Sequence, residues 1–143
     1  MLKFERPKYL DPEMFDKFVE FIEVFIDKSH EDMTVKDVIT HISSCNPNES
    51  GVWFIYEDEI LKGYLFAEVV KNHEGICTII HHLCISGIKD RNIFTKVVNL
   101  LKEFGAPLGS KEIIFSTDHD PKAFIRLIKN GFQVESHILS LTY

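Results

Sequence analysis

The spacing of apolar and polar positions divides the chain into elements. Asp11, Pro12 and Glu13 form a helix start: Asp caps, Pro suits the first helical position, and Glu sits well at the positive helix end. Behind them Phe15, Phe18, Val19, Ile22, Phe25 and Ile26 recur at helical spacing and predict one buried stripe. Thr34 and Asp37 have the form of a capping box. They predict a second helix whose apolar face is Val35, Val38, Ile39 and Ile42. Residues 43–50, with Asn, Pro and Ser, read as a loop.

The period then changes. Residues 51–56 are aromatic and β-branched and predict a strand. Glu57, Asp58 and Glu59 read as a solvated turn, and residues 61–70 as a second strand in hairpin with the first. After a turn at 72–75, residues 75–86 form a third strand, apolar on both faces through much of its length. That predicts a central strand covered on both sides. A helix follows over 91–104, with Ile93, Val97, Leu101 and Phe104 inward, Gly105 as its C-terminal cap and Pro107 beyond. Residues 111–117 predict a strand. Asp120 and Pro121 open a last helix, with Phe124, Leu127 and Ile128 inward and Gly131 as its cap. Residues 132–143 predict a final strand whose alternation slips near Ser136 and His137, as at a bulge. The meander predicts antiparallel pairing among the first three strands, and the strand–helix–strand unit from 75 to 117 predicts one parallel pair. The expected fold is α/β (α+β): one domain over residues 1–143, with a mixed, mostly antiparallel sheet and helices on both faces.

Composition narrows the class. A chain of 143 residues, 45% of them hydrophobic and with twelve Phe, suits a single core. No apolar run is long enough to span a bilayer, and residues 1–10 lack the apolar segment of a signal peptide, so a cytoplasmic protein is expected. Cys45, Cys77 and Cys84 are odd in number and form no CxxC pair, which predicts free thiols. A net charge of −6 argues against nonspecific nucleic-acid binding while leaving room for a local basic patch.

The order of elements is similar to that of the GNAT N-acetyltransferase superfamily, over nearly the whole chain after the first few residues. The segment Asp120-Pro121-Lys122-Ala123-Phe124-Ile125-Arg126-Leu127-Ile128-Lys129-Asn130-Gly131-Phe132 resembles the family's Asn-x-x-Ala helix followed by Gly-Phe. Residues 52–70, with Lys62-Gly63-Tyr64, resemble its second and third strands. The last segment is also similar to small GNAT-like proteins encoded by bacteriophages, some of them structural.

The resemblance implies acetyl-CoA as co-substrate, held between the long central strand and the helix after it, where helix N–H groups meet the pyrophosphate. The backbone of Leu83, Cys84 and Ile85 would pair with the pantetheine arm, and Arg91, Asn92, Ile93, Phe94 and Thr95 fall in the phosphate loop. The family pattern there is Gln or Arg, two residues, Gly, one residue, then Gly or Ala. Here Asp90 stands first, and Ile93 and Thr95 replace the small residues. The Tyr with which many members protonate the leaving thiolate is matched by Leu127.

Two side chains are candidate bases for an acceptor amine. His81 and His82 lie on the central strand, where neighbours face opposite ways. His81, on the face of Leu83 and Ile85, is the first choice. Glu68, late in the second hairpin strand, is the other. The plainer readings are a hydrogen-bonded structural histidine and an exposed strand carboxylate. Cys77, His81, His82 and Cys84 do not converge on one ion from a regular strand, Cys84 reads as a buried inert thiol, and Thr117-Asp118-His119-Asp120 is explained by helix capping, so no metal is expected. Two functions result. One is an acetyl-CoA-dependent N-acetyltransferase acting on an amine. The other is a catalytically inactive GNAT-like protein that binds other proteins or serves in a phage particle. Exposed sheet edges leave room for a homodimer or a protein partner.

Overall fold

The computed structural model describes residues 1–29, 32–116, 133–135 and 138–142. The expected helix opening at Asp120, with Leu127 and Gly131, lies outside the described residues, as do Ser136 and His137. Among the described residues the order is β1 (Leu2–Glu5), α1 (Pro12–Ser29), α2 (Val35–Ser44), β2 (Ser50–Glu57), β3 (Ile60–Asn72), β4 (Gly75–Ile85), α3 (Ile93–Gly105), a 3-10 turn (Ala106–Leu108), β5 (Glu112–Ser116), β6 (Gln133–Glu135) and β7 (Ile138–Thr142).

The strands form a mixed sheet in the order β1-β2-β3-β4-β5-β7-β6. Two tight turns join β2, β3 and β4. At the first, Asp58 and Glu59 both have positive φ, 51° and 68°, the pair of left-handed residues that suits the twist of a two-residue hairpin. The predicted parallel pair is present: β4 meets β5 from Thr78 opposite Ile113 to Ile80 opposite Phe115, and β4 then runs on to Ile85.

Two departures from expectation concern strands. β1 was not foreseen; it lies antiparallel to β2, from Leu2 opposite Glu57 to Glu5 opposite Phe54. The final strand is two strands, β6 and β7, antiparallel with Glu135 opposite Ile138, and β7 lies beside β5. The slip in alternation thus separates two strands.

The chain divides into two units, Met1–Phe66 with His82–Lys89, and Ala67–His81 with Asp90–Tyr143. In the first unit both helix starts form as their residues dictate. Met14 N–H donates to Asp11 Oδ1 at 2.8 Å, while Thr34 and Asp37 close a reciprocal capping box at 2.9 and 3.2 Å. The Thr34 backbone N–H and hydroxyl hold the Asp37 carboxyl below its ordinary range. Phe18, Ile22, Val38, Phe54, Tyr64, Phe66 and Cys84 form the buried core. Phe18 meets Phe54 and Tyr64 edge-on at centroid distances of 5.4 and 5.1 Å. The α1 stripe is rotated from expectation: Phe15 is exposed, whereas Met14 and Phe21 pack on the core. Gly63 is dictated by close approach, because a Cβ there would lie 1.9 Å from the Cys84 carbonyl oxygen.

In the second unit α3 buries Ile93, Phe94, Val97, Val98 and Leu101, while Phe104 is only half-buried. Gly105 does not end the helical run. The chain continues through the 3-10 turn, whose first turn tolerates Pro107, and the left-handed residue that stops it is Gly109, φ 88°. Buried Thr78 and Ser110 share a hydroxyl hydrogen bond of 2.7 Å.

Candidate active site

The two candidate bases, read separately from the sequence, are joined in the fold. His81 Nε2 and Glu68 Oε1 are 3.0 Å apart, with side chains 21% and 23% exposed. Both side chains are thus mostly covered, with part of each left open. β4 is less sealed here than expected. From Ile79 to Ile85 burial alternates, with Ile79, His81, Leu83 and Ile85 half-buried and Ile80, His82 and Cys84 buried.

His82 has a different setting. It is 6% exposed, its Nδ1 lies 3.0 Å from Tyr64 Oη, and its ring stacks on Phe25 at 4.0 Å. Phe66 meets the same ring edge-on. Burial pushes the Tyr64 phenol well above its ordinary value, so it keeps its proton and can donate to Nδ1. This is the setting expected of a structural histidine. On β3, Tyr64 and Phe66 meet His82, and Glu68 meets His81.

Cys84 is buried, and its Sγ lies 3.5 Å from the Phe21 carbonyl oxygen, to which it donates. Desolvation pushes its thiol up to about 11, so no thiolate is available at neutral pH. Burial likewise raises the Cys77 thiol.

The loop between β4 and α3 carries the expected cofactor residues. Arg91, Asn92 and Thr95 are exposed, whereas the side chains of Ile93 and Phe94 are buried in the core, so only their backbone can serve a ligand. Asp90, the acid in place of a family Gln or Arg, is already partnered: Oδ1 accepts the Asn92 N–H at 2.8 Å, and Oδ2 accepts from Lys96 Nζ at 2.6 Å. The Lys96 bond first, and the Asn92 N–H second, hold its carboxyl below the ordinary range. Its charge is therefore offset locally.

Sequence reasoning missed two residues of this loop region. Gly87, φ 70°, provides the left-handed turn, upstream of the segment aligned with the glycine pattern. Glu57, taken for part of a solvated turn, is 7% exposed, and both its carboxylate oxygens accept from the Lys89 backbone N–H at 3.0 and 3.1 Å. Only its buried-facing place at the end of β2 separates it from exposed Asp58 and Glu59, and that phase was the one available signal.

No protein-family model and no curated protein sequence matches the chain. Solved structures do. A GNAT-family acetyltransferase from Staphylococcus aureus Mu50 superposes with a TM-score of 0.74 at 9% identity, covering 99% of each chain. The PaiA N-acetyltransferase from Thermoplasma acidophilum, in complex with coenzyme A, gives 0.71 at 15% identity over 100% of this chain and 99% of the other. Aminoglycoside 6'-acetyltransferase type Ii gives 0.73 at 17% identity, over 98% and 96%. The chain has the fold of the GNAT acetyltransferases.

Proposed function

We propose that the protein is an acetyl-CoA-dependent N-acetyltransferase acting on an amine, with the Glu68–His81 pair as its base. The observation that carries this reading is the 3.0 Å contact between the two half-buried side chains. An amine is protonated at neutral pH and attacks only when deprotonated. His81 would take that proton on one ring nitrogen while Glu68, hydrogen-bonded to Nε2, fixes the ring and stabilises the imidazolium. The coenzyme would supply the acetyl thioester.

The residues present fit such a co-substrate in two respects. β4 runs to Ile85, and Leu83, Cys84 and Ile85 are the stretch along which a pantetheine arm would run. The loop after it turns on a left-handed glycine, and its one acid is neutralised by Lys96. A coenzyme A complex of a protein with the same fold supports the choice of co-substrate. Coenzyme A would leave as its thiolate when the C–S bond breaks and would take its proton from solvent, since Leu127 offers none.

The competing reading, an inactive protein-binding relative, draws on buried Ile93, which stands where the family pattern has Gly, and on buried Phe94 beside it. Calorimetry with acetyl-CoA separates the two. Micromolar binding supports the transferase and calls for an acceptor screen, while no heat at millimolar coenzyme sinks it.

A further inference from the structure

We propose that Glu57 is a positioning residue that holds the β4–α3 loop in the conformation to which the coenzyme binds. This rests on the transferase reading, because the loop matters as the coenzyme's seat. A carboxylate is costly to bury without strong hydrogen bonds, and Glu57 is 7% exposed. Both of its oxygens are aimed at a main-chain N–H, that of Lys89, 32 residues away in sequence. What such a bond fixes is the path of the backbone, whatever side chain residue 89 carries. The same loop is tied at its start, where Ser86 N–H donates to the Lys62 carbonyl at 2.8 Å, and Gly87 supplies the turn between the two ties. Ser86 to Lys89 is thereby fixed at both ends to the β2–β3 hairpin.

The test compares wild type with Glu57→Gln, Glu57→Leu and Glu57→Asp. Two quantities are read: hydrogen exchange of the Lys89 amide without ligand, and the Kd for coenzyme A by calorimetry. Gln keeps an oxygen in place and should stay within a few-fold of wild type in both. Leu removes the acceptor, and should speed Lys89 exchange and raise the Kd each by about tenfold, the worth of one charge-assisted hydrogen bond. If the Leu variant does not fold, Asp, one methylene shorter, withdraws the carboxylate while keeping its charge and should move both quantities the same way. A folded Leu or Asp variant with unchanged Lys89 exchange, or with the wild-type Kd, overturns the role of Glu57. Wild-type protein that binds no coenzyme A overturns the transferase reading itself, whatever Lys89 does.

Discussion

His81 and His82 are neighbours in the chain, and each finds a β3 side chain 3.0 Å from a ring nitrogen. The surroundings of the two rings differ in everything else. Around His82 the partner is a phenol whose proton is locked by burial, and Phe25 and Phe66 close over the ring. Around His81 the partner is a carboxylate, and both side chains keep about a fifth of their surface exposed. An imidazole sealed among aromatic rings has little to exchange protons with. One backed by a carboxylate and open to solvent can pick a proton up and give it away. Residue type and hydrogen-bond length are the same in the two regions, so burial and the charge of the partner separate a structural histidine from a candidate base.

The largest perturbation would strike both regions together. Gly63→Ala places a methyl carbon 1.9 Å from the Cys84 carbonyl oxygen, a backbone atom that cannot swing aside. We expect loss of soluble protein, or destabilisation of about 4 kcal/mol or more by denaturant titration. A variant of near wild-type stability would mean that β3 and β4 do not approach as closely as described.

The next test separates the regions. With an amine found by acceptor screening, His81→Ala should lower kcat by about 10²–10⁴-fold, and Glu68→Gln should lower it in the same direction, with melting temperatures little changed. An undiminished rate in His81→Ala would remove the functional side of the contrast. The sealed region should respond the other way. Tyr64→Phe leaves His82 Nδ1 without the phenol and should cost about 1–3 kcal/mol of unfolding free energy while sparing kcat per folded molecule. Loss of rate without loss of stability would show that His82 had been assigned to the wrong class.

What could be read from the sequence follows the range of the interactions. The Asp11 cap and the Thr34–Asp37 box act over three residues, and both form as expected. The parallel pairing of β4 with β5 follows from chain handedness and a helix-length crossover. β1 escaped notice because four residues show no period, and its pairing with β2 is made across about fifty positions. The two candidate bases were named one at a time because strand register is invisible in one sequence. Glu57 was misread for the same reason: its partner is a backbone amide, which leaves no mark on residue identity.

The smallest effect tests how well the His82 side is sealed. Cys84 lies in that core and its thiol is raised from 9.0 to about 11, chiefly by desolvation, with Lys28 opposing. Below pH 9 the folded and unfolded states both hold the proton, and pH has no leverage on stability through this group. Above it the unfolded thiol ionises while the folded one does not, so the unfolded state binds fewer protons and rising pH favours unfolding. By pH 10 the loss should be about 1 kcal/mol. Cys77 and Tyr64 are shifted in the same direction and add to the raw slope, so the quantity to measure is the difference between wild type and Cys84→Ala. The two unfolding curves should keep a constant separation up to about pH 9 and then converge, because the variant has no thiol to lose. A separation that stays constant to pH 10 would mean that water reaches Cys84. It would also mean that the surroundings of His82 are as open as those of His81.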